Sequence, residues 1–333
     1  MEKNRHDWIP ALLIGILSNA VLRFHTGYWS RIGILASGAS ILVLALATLW
    51  FSAGWKRWDC ALLRCGLCVI LAASSVLEIL RLRSIYESLY PGTMGLTASC
   101  FVLLLPVVYL RRETALRQNA GAVLALLAIG LAAMLLSIAQ QLRVTNLQNT
   151  SLTAEQWLGA ISSQTVLYPE YLLLAVLPKR EKSERSAVRL ACSGVLFDTG
   201  IHLLLELFFG AAMPGRSSPV QAAAQCGALS IFNRLEWVQL VLWTMAVSVK
   251  LAVYLYTMVE LLGGKTGQGN TAVGLDRFFW YLGGVLLFCI LWRGIDLERA
   301  FEWRNMLIWA YALPVVLGGV IQCLSGIEKR KTA

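Results

Sequence analysis

Ten stretches of mostly apolar residues, each about long enough to cross a lipid bilayer, make up most of this chain. They cover residues 8–24, 32–53, 60–82, 94–110, 120–142, 157–178, 188–212, 236–262, 278–296 and 306–326. A helix satisfies its own backbone hydrogen bonds, so ~17–25 apolar residues can cross ~30 Å of hydrocarbon. No long polar linker divides the chain. The sequence therefore predicts an all-α integral membrane protein with about ten transmembrane helices in one domain, residues 1–333.

The charge pattern favours lipid as the main solvent and argues against nucleic acid as a partner. Only 14% of the residues are charged, whereas a soluble domain has nearer ~25%. The net charge of +10 comes from short basic clusters between apolar runs, not from a basic face that could bind phosphates. Loops on the side of the termini, above all residues 178–185, hold more Lys and Arg than the opposite loops. The positive-inside rule then predicts both termini in the cytoplasm.

Motifs for covalent or metal chemistry are absent from the sequence. It contains no Walker loop, no GxSxG and no HExxH. Cys65 and Cys68 have CxxC spacing, but no second pair or His cluster accompanies them, and they lie in a predicted span. Buried Cys more often serves as a small apolar side chain than as a metal ligand in such a setting. The sequence predicts no enzyme, no metal site and no cofactor.

The sixth predicted span contains a proline followed by a carboxylate, Pro169 and Glu170, after a polar first half. Proline removes a backbone donor and disturbs the preceding turn, which frees carbonyl groups that need partners. A helix interrupted at a carboxylate is one way to build a ligand site near the membrane midplane. A proline kink with Glu170 facing a neighbouring helix explains the same residues equally well.

The first predicted span carries a similar signal in Gly15, Ser18 and Asn19. Small and polar residues there would permit local unwinding, so that backbone groups could meet a ligand. The alternative is tight helix–helix packing through small residues. Interruptions in the first and sixth spans have the offset expected of two five-helix inverted repeats.

Ionisable residues within the other spans need partners, because a charge at the helix centre costs ~2.5–3.5 kcal/mol on insertion scales. Lys250 lies in the middle of its span and is expected either to pair with a carboxylate such as Glu170 or to extend to the cytoplasmic interface. Glu78 can form a local ion pair with Arg81, one turn further along.

A second set of ionisable residues, Asp198, His202 and Glu206, shares one helix face at i, i+4 spacing. An acidic and imidazole row of this kind suits a proton relay. It equally suits an inward-facing polar seam that packs against other helices.

Several segments resemble the B subunits of spore germinant receptors, the GerAB-type permeases of the amino acid–polyamine–organocation (APC) superfamily. The stretch Ile231-Phe-Asn-Arg-Leu-Glu236, with Trp243 and residues 249–256, resembles the start of that family's eighth helix and its lysine, here Lys250. Tyr168-Pro-Glu170, followed by an apolar run to Pro178, is similar to its sixth helix. Leu89-Tyr-Pro-Gly-Thr93 resembles the start of its fourth helix, with Met94 in place of a second proline.

The first span departs most from that family. Ile16-Leu-Ser-Asn-Ala20 is similar to the family's Gly-Ser-Ala break, but the Gly and Ser are displaced. The resemblance implies an APC/LeuT-like 5+5 inverted repeat with broken first and sixth helices in a permease-like domain. It also implies a small nutrient ligand, often an amino acid. The ligand-binding residues would be Gly15, Ser18, Asn19, Tyr168, Glu170 and Lys250.

The resemblance further implies partners and a location. Members of this family work beside an A-type subunit and a lipoprotein C-type subunit in the inner membrane of the endospore, where they sense nutrients and trigger germination. A secondary active amino-acid transporter, coupled to protons or sodium, is the alternative that Glu170 and the Asp198–His202 row would suit.

Overall fold

A computed structural model describes residues 8–21, 61–91, 105–147, 153–155, 167–177, 183–210, 219–227, 236–263, 274–291 and 296–331. These ranges consist of helices and turns and contain no β-strand. Residues 105–109 are helical. The helices with both ends described are α1 (Ile9–Val21), α2 (Ala61–Leu89), α3 (Glu113–Ile138), α4 (Pro169–Val176), α5 (Ser183–Phe209), α6 (Pro219–Cys226), α7 (Glu236–Gly263), α8 (Leu275–Leu291) and α9 (Leu297–Lys331). Short 3₁₀ turns at Ala139–Gln141 and Val144–Asn146 follow α3.

The helical membrane class predicted from the sequence is supported by four long helices. The segments Ala61–Leu89, Glu113–Gln141, Val188–Phe209 and Glu236–Leu262 are long and apolar enough to cross a membrane. The helix α1 is apolar but shorter. The predicted span 32–53 and most of 94–110 lie outside the described residues, so the count of ten spans stays a prediction.

The observed bounds differ from the predicted spans mainly at polar ends. The helix α2 continues to Leu89, past the predicted end at residue 82, and α9 extends from Leu297 to Lys331 around the predicted 306–326. The short helix α6 corresponds to no predicted span. Apolar run length finds the part of a helix that lies in hydrocarbon, and it misses the turns that continue into polar surroundings.

The centre of the described bundle is formed by α1 and α7. The helix α1 is apolar all round and is buried on nearly every residue from Ala11 to Val21, as expected of a helix surrounded by others. It packs against α3, α5 and α7, while α7 also packs against α2 and α8. Residues 246–259 of α7 are buried without exception. Polar groups on these two helices are therefore forced into contact with protein.

The predicted break in the first helix is wrong. The helix α1 runs without interruption through Gly15, Ser18 and Asn19, so the backbone amides of these residues bond within the helix. Small residues here serve close packing, which was the alternative explanation. Neighbouring helices pack against these side chains and into the space that Gly15 leaves free.

The interruption expected in the sixth span appears as a helix start. Tyr168 has extended backbone angles (φ −80°, ψ 136°), and α4 begins at Pro169. Proline disfavours a helical conformation in the residue before it and fits the first helical position, where no amide donor is needed. Residues 157–166 lie outside the described residues. The start of α4 at Pro169 places Glu170 in the first turn of this helix.

Candidate functional site

A buried network of charged and polar side chains joins α1, α2, α4 and α7. At its centre, the Nζ atom of Lys250 donates hydrogen bonds to Asn19 Oδ1 at 2.8 Å and to Glu78 Oε1 at 2.9 Å. The same Nζ lies 3.6 Å from Glu170 Oε1. All four side chains are at most 2% exposed. Lys250 is thus paired inside the bundle and does not extend to the membrane interface.

Glu170 occupies the other side of this network and accepts two hydrogen bonds. Asn19 Nδ2 donates to Glu170 Oε2 at 2.8 Å, and the Tyr254 hydroxyl donates to Glu170 Oε1 at 2.5 Å. Because Glu170 lies in the first turn of α4, the positive end of the helix dipole also favours its carboxylate. Hydrogen bonds to a charged acceptor are shorter and stronger than neutral ones.

Asn19 connects the two charged groups through both ends of its amide. Its nitrogen donates to Glu170 while its oxygen accepts from Lys250. The amide nitrogen can only donate and the amide oxygen can only accept, so the carboxylate and the ammonium together fix the orientation of the Asn19 side chain. Tyr254, one turn beyond Lys250 on α7, completes the arrangement.

Gly15 explains how α4 comes so close to α1. A Cβ atom at position 15 would lie 2.5 to 2.8 Å from the Oε1, Cγ and Cδ atoms of Glu170. Side-chain atoms do not approach that closely, so only glycine lets the Glu170 side chain lie against the α1 backbone. The residue therefore shapes the site through the volume it leaves free.

Gly15→Ala is expected to displace the Glu170 carboxylate and weaken its bonds to Asn19 and Tyr254. Overpacking of a well-packed interior costs typically ~1–3 kcal/mol, which should lower the unfolding temperature of the purified protein. Gly121→Ala on α3 is the matched control, because a Cβ atom there has no neighbour within 4 Å and alanine favours a helix. Thermal unfolding in detergent compares the two, and equal unfolding temperatures would exclude this close approach.

Two arginines extend the network on the Glu78 side. Arg81 Nη1 lies 3.6 Å and Arg304 Nη1 lies 4.0 Å from Glu78 Oε1. The guanidinium carbons of both arginines lie over the Phe301 ring, at 5.5 and 4.5 Å from its centroid. Glu78 is therefore shared by three cations, which ties α9 to α2 and α7. The predicted pair of Glu78 with Arg81 is one part of a larger cluster.

The second ionisable row is connected to this region through Tyr168. The Tyr168 hydroxyl donates to Asp198 Oδ1 at 2.8 Å, and His202 Nδ1 lies 3.6 Å from Asp198 Oδ2. Asp198, His202 and Glu206 are all at most 1% exposed. The row on α5 thus faces the protein interior, and its Asp198 bonds to Tyr168, the residue immediately before α4.

The structure brings together four of the six residues expected to bind a ligand, namely Gly15, Asn19, Glu170 and Lys250. Tyr168 is buried, and its hydroxyl donates to Asp198 on α5. Ser18 is buried too, and its hydroxyl has no hydrogen-bond partner within the described ranges.

Sequence reasoning missed Glu78 as the partner of Lys250, and it missed Tyr254 and Arg304 altogether. The spacing of Tyr254 from Lys250, i to i+4 on one helix, is the signal that could have found the tyrosine. No comparable signal exists for Arg304, which lies 54 residues further along the chain than Lys250.

Comparison with known proteins does not name a family. No protein-family model matches the chain. No curated protein matches it either.

Proposed function

We propose that this chain is the membrane subunit of a nutrient germinant receptor, which binds a small nutrient near the membrane midplane and triggers spore germination. One observation carries the proposal: Asn19, Glu78, Glu170, Lys250 and Tyr254 form a buried charged network between four helices. Buried ion pairs contribute little to stability compared with apolar packing, so their presence points to another role. The motifs around Glu170 and Lys250 are also those that resemble the GerAB-type permeases.

The network has the chemistry needed to bind an amino acid. A nutrient carboxylate would accept a hydrogen bond from Lys250, in place of Asn19 Oδ1 or Glu78 Oε1. A nutrient ammonium would donate to Glu170, in place of Asn19 Nδ2 or the Tyr254 hydroxyl. Because α1 is continuous, side chains and not freed backbone groups would hold the charged ends of the nutrient. No covalent step is needed, so the chain acts as a binding protein and not as an enzyme.

Exchange of partners would also provide the signal. Lys250 and Glu170 join α7 and α4 through Asn19 of α1, so a ligand that takes over these bonds changes the contacts between three helices. A ligand shifts a conformational equilibrium only through different affinity for the two states. The helices are proposed to belong to a ten-span APC-like bundle with a 5+5 inverted repeat. Both termini would be cytoplasmic, in the inner membrane of the endospore.

A secondary active amino-acid transporter is the second candidate. Tyr168, two residues before Glu170, bonds to Asp198, and His202 lies 3.6 Å from the same carboxylate, so a row of ionisable groups is connected to this part of the chain. Such a row suits coupling to protons, because a carboxylate and an imidazole can exchange them near neutral pH. A receptor subunit needs no such coupling.

We expect spores that lack this chain to lose the response to a nutrient while retaining the response to a non-nutrient trigger. A tagged chain should also co-purify with A-type and C-type subunits from spore membranes, because the receptor acts as an assembly. The transporter alternative instead predicts uptake of amino acid into proteoliposomes, driven by a proton or sodium gradient. Gradient-driven uptake together with normal germination of the deletion spores would contradict the receptor function.

A further inference from the structure

A pocket lies away from the charged network, between α3, α6 and α7. The pocket is open on one side and encloses about 30 Å³, so a ligand would lie only partly inside it. Aliphatic side chains form most of its wall, including Leu131, Met134, Ala224 and Leu242. A Cβ atom at Gly130 would overlap the Leu242 side chain, so the glycine brings α3 close to α7 at this pocket.

Two polar residues on α7, Gln239 and Trp243, interrupt this apolar wall. They are four residues apart and so lie on one helix face. The indole Nε1 of Trp243 and the Oε1 of Gln239 are buried, and neither has a hydrogen-bond partner within the described part of the chain. Trp243 as a whole is 4% exposed.

An unpartnered donor and an unpartnered acceptor, on residues one helical turn apart that line the same pocket, point to a polar ligand group. Buried indole N–H and amide groups are nearly always hydrogen-bonded in native proteins, because leaving them unpaired costs free energy. Lipid tails cannot supply a partner, since they carry neither donor nor acceptor. The group that fits must accept from the indole N–H and donate to the amide oxygen.

We propose that this pocket binds an aliphatic alcohol. The hydroxyl oxygen would accept a hydrogen bond from Trp243 Nε1, and its hydrogen would be donated to Gln239 Oε1. The alkyl chain would lie along Leu131, Met134 and Leu242. A carboxylate cannot donate to Gln239, and an ammonium cannot accept from Trp243, so both are disfavoured.

Two sources could provide this chemistry. One is a free alcohol that partitions into the bilayer, and the other is a membrane glyceride with one free hydroxyl. Both present a hydroxyl at the end of an apolar chain. The inference is independent of the receptor or transporter role, because it rests on neither Glu170 nor Lys250.

Photolabelling of the purified full chain with a diazirine-bearing octanol tests the proposal. Peptide mapping should place saturable labelling at residues 127–134 and 238–243. Excess 1-octanol or dioctanoylglycerol should displace the probe, and whichever is effective identifies the source of the ligand. Octane and octyl methyl ether should not displace it, because neither can donate to Gln239.

Variants provide the second arm of the test. Trp243→Phe and Gln239→Leu should each weaken probe binding about tenfold, the effect of losing one good hydrogen bond. Trp280→Phe is the matched control, because Trp280 is 81% exposed on α8 and lies outside the pocket. Ala133→Phe should block binding by filling the pocket, and it carries the test if Trp243→Phe does not fold.

Three results would overturn the proposal. One is labelling spread over the lipid-facing helices without saturation, which would mean that the probe only dissolves in the bilayer or detergent. Another is equal displacement by the methyl ether, which would show that the hydroxyl hydrogen is not used. The third is unchanged labelling in folded Trp243→Phe and Gln239→Leu proteins.

Discussion

Glu170→Gln is expected to raise the nutrient concentration for half-maximal germination about 10- to 100-fold while the amount of protein in the membrane stays near normal. Glutamine keeps the volume of the side chain but removes the charge that would bind a nutrient ammonium. A hydrogen bond to a charged group contributes ~1.5–3 kcal/mol, which corresponds to that range of concentrations.

The protein should persist because Lys250 keeps its closer carboxylate. Its Nζ is 2.9 Å from Glu78 and 3.6 Å from Glu170, so loss of the Glu170 charge does not leave the ammonium unpaired. The glutamine oxygen can still accept from Asn19 or Tyr254. A purely structural Glu170 would instead make Glu170→Gln protein disappear from the membrane.

Germination dose–response curves beside immunoblots of spore membranes separate these outcomes. Glu155→Gln is the control, because Glu155 is an exposed carboxylate outside the network. A normal dose–response in Glu170→Gln spores would remove Glu170 from both the nutrient site and the signal.

The helical class could be predicted because it depends on local features of the sequence. Apolar run length decides whether a segment can cross hydrocarbon, and Pro169 decides where α4 begins. Both act over a few residues, so no knowledge of neighbouring helices is required. The beginning of α4 at Pro169 is the clearest case, since it places Glu170 in the first turn.

The partner of Lys250 could not be settled in the same way. An in-span lysine requires a carboxylate, and the sequence offers both Glu78 and Glu170. The choice depends on how α2 and α4 pack against α7, which no local pattern encodes. The described helices bring both carboxylates to Lys250, with Glu78 the nearer.

Gly15 shows why composition misled the prediction for the first helix. Glycine with Ser18 and Asn19 is compatible both with unwinding and with close packing. The Glu170 side chain decides between unwinding and close packing. It comes from a helix about 150 residues away and occupies the space where a Cβ atom of residue 15 would be. Packing from outside keeps α1 helical and turns its small residues into a surface for α4.

Lys250→Met is expected to destabilise the protein by ~3–5 kcal/mol, the cost of removing one partner from a truly buried ion pair. Asn19 Oδ1 loses its donor and Glu170 loses its nearest described cation, while Glu78 still faces Arg81 and Arg304. Protein levels and thermal unfolding in detergent should both fall. Lys265→Met, in a predicted loop outside the described residues, should leave them near wild type.

A second substitution, added to Lys250→Met, distinguishes which carboxylate charge Lys250 neutralises. Adding Glu170→Gln to Lys250→Met should restore much of the lost stability, because it removes the carboxylate that Lys250→Met leaves facing only neutral donors. Adding Glu78→Gln should not, because Arg81 and Arg304 lie within 4.0 Å of that carboxylate and still need its charge. Immunoblots and unfolding curves of both double mutants provide the measurement. Equal recovery of stability in the two double mutants would show that the arginines do not depend on Glu78. Recovery in neither would show that Lys250 stabilises the fold through its bond to Asn19 and not through its charge.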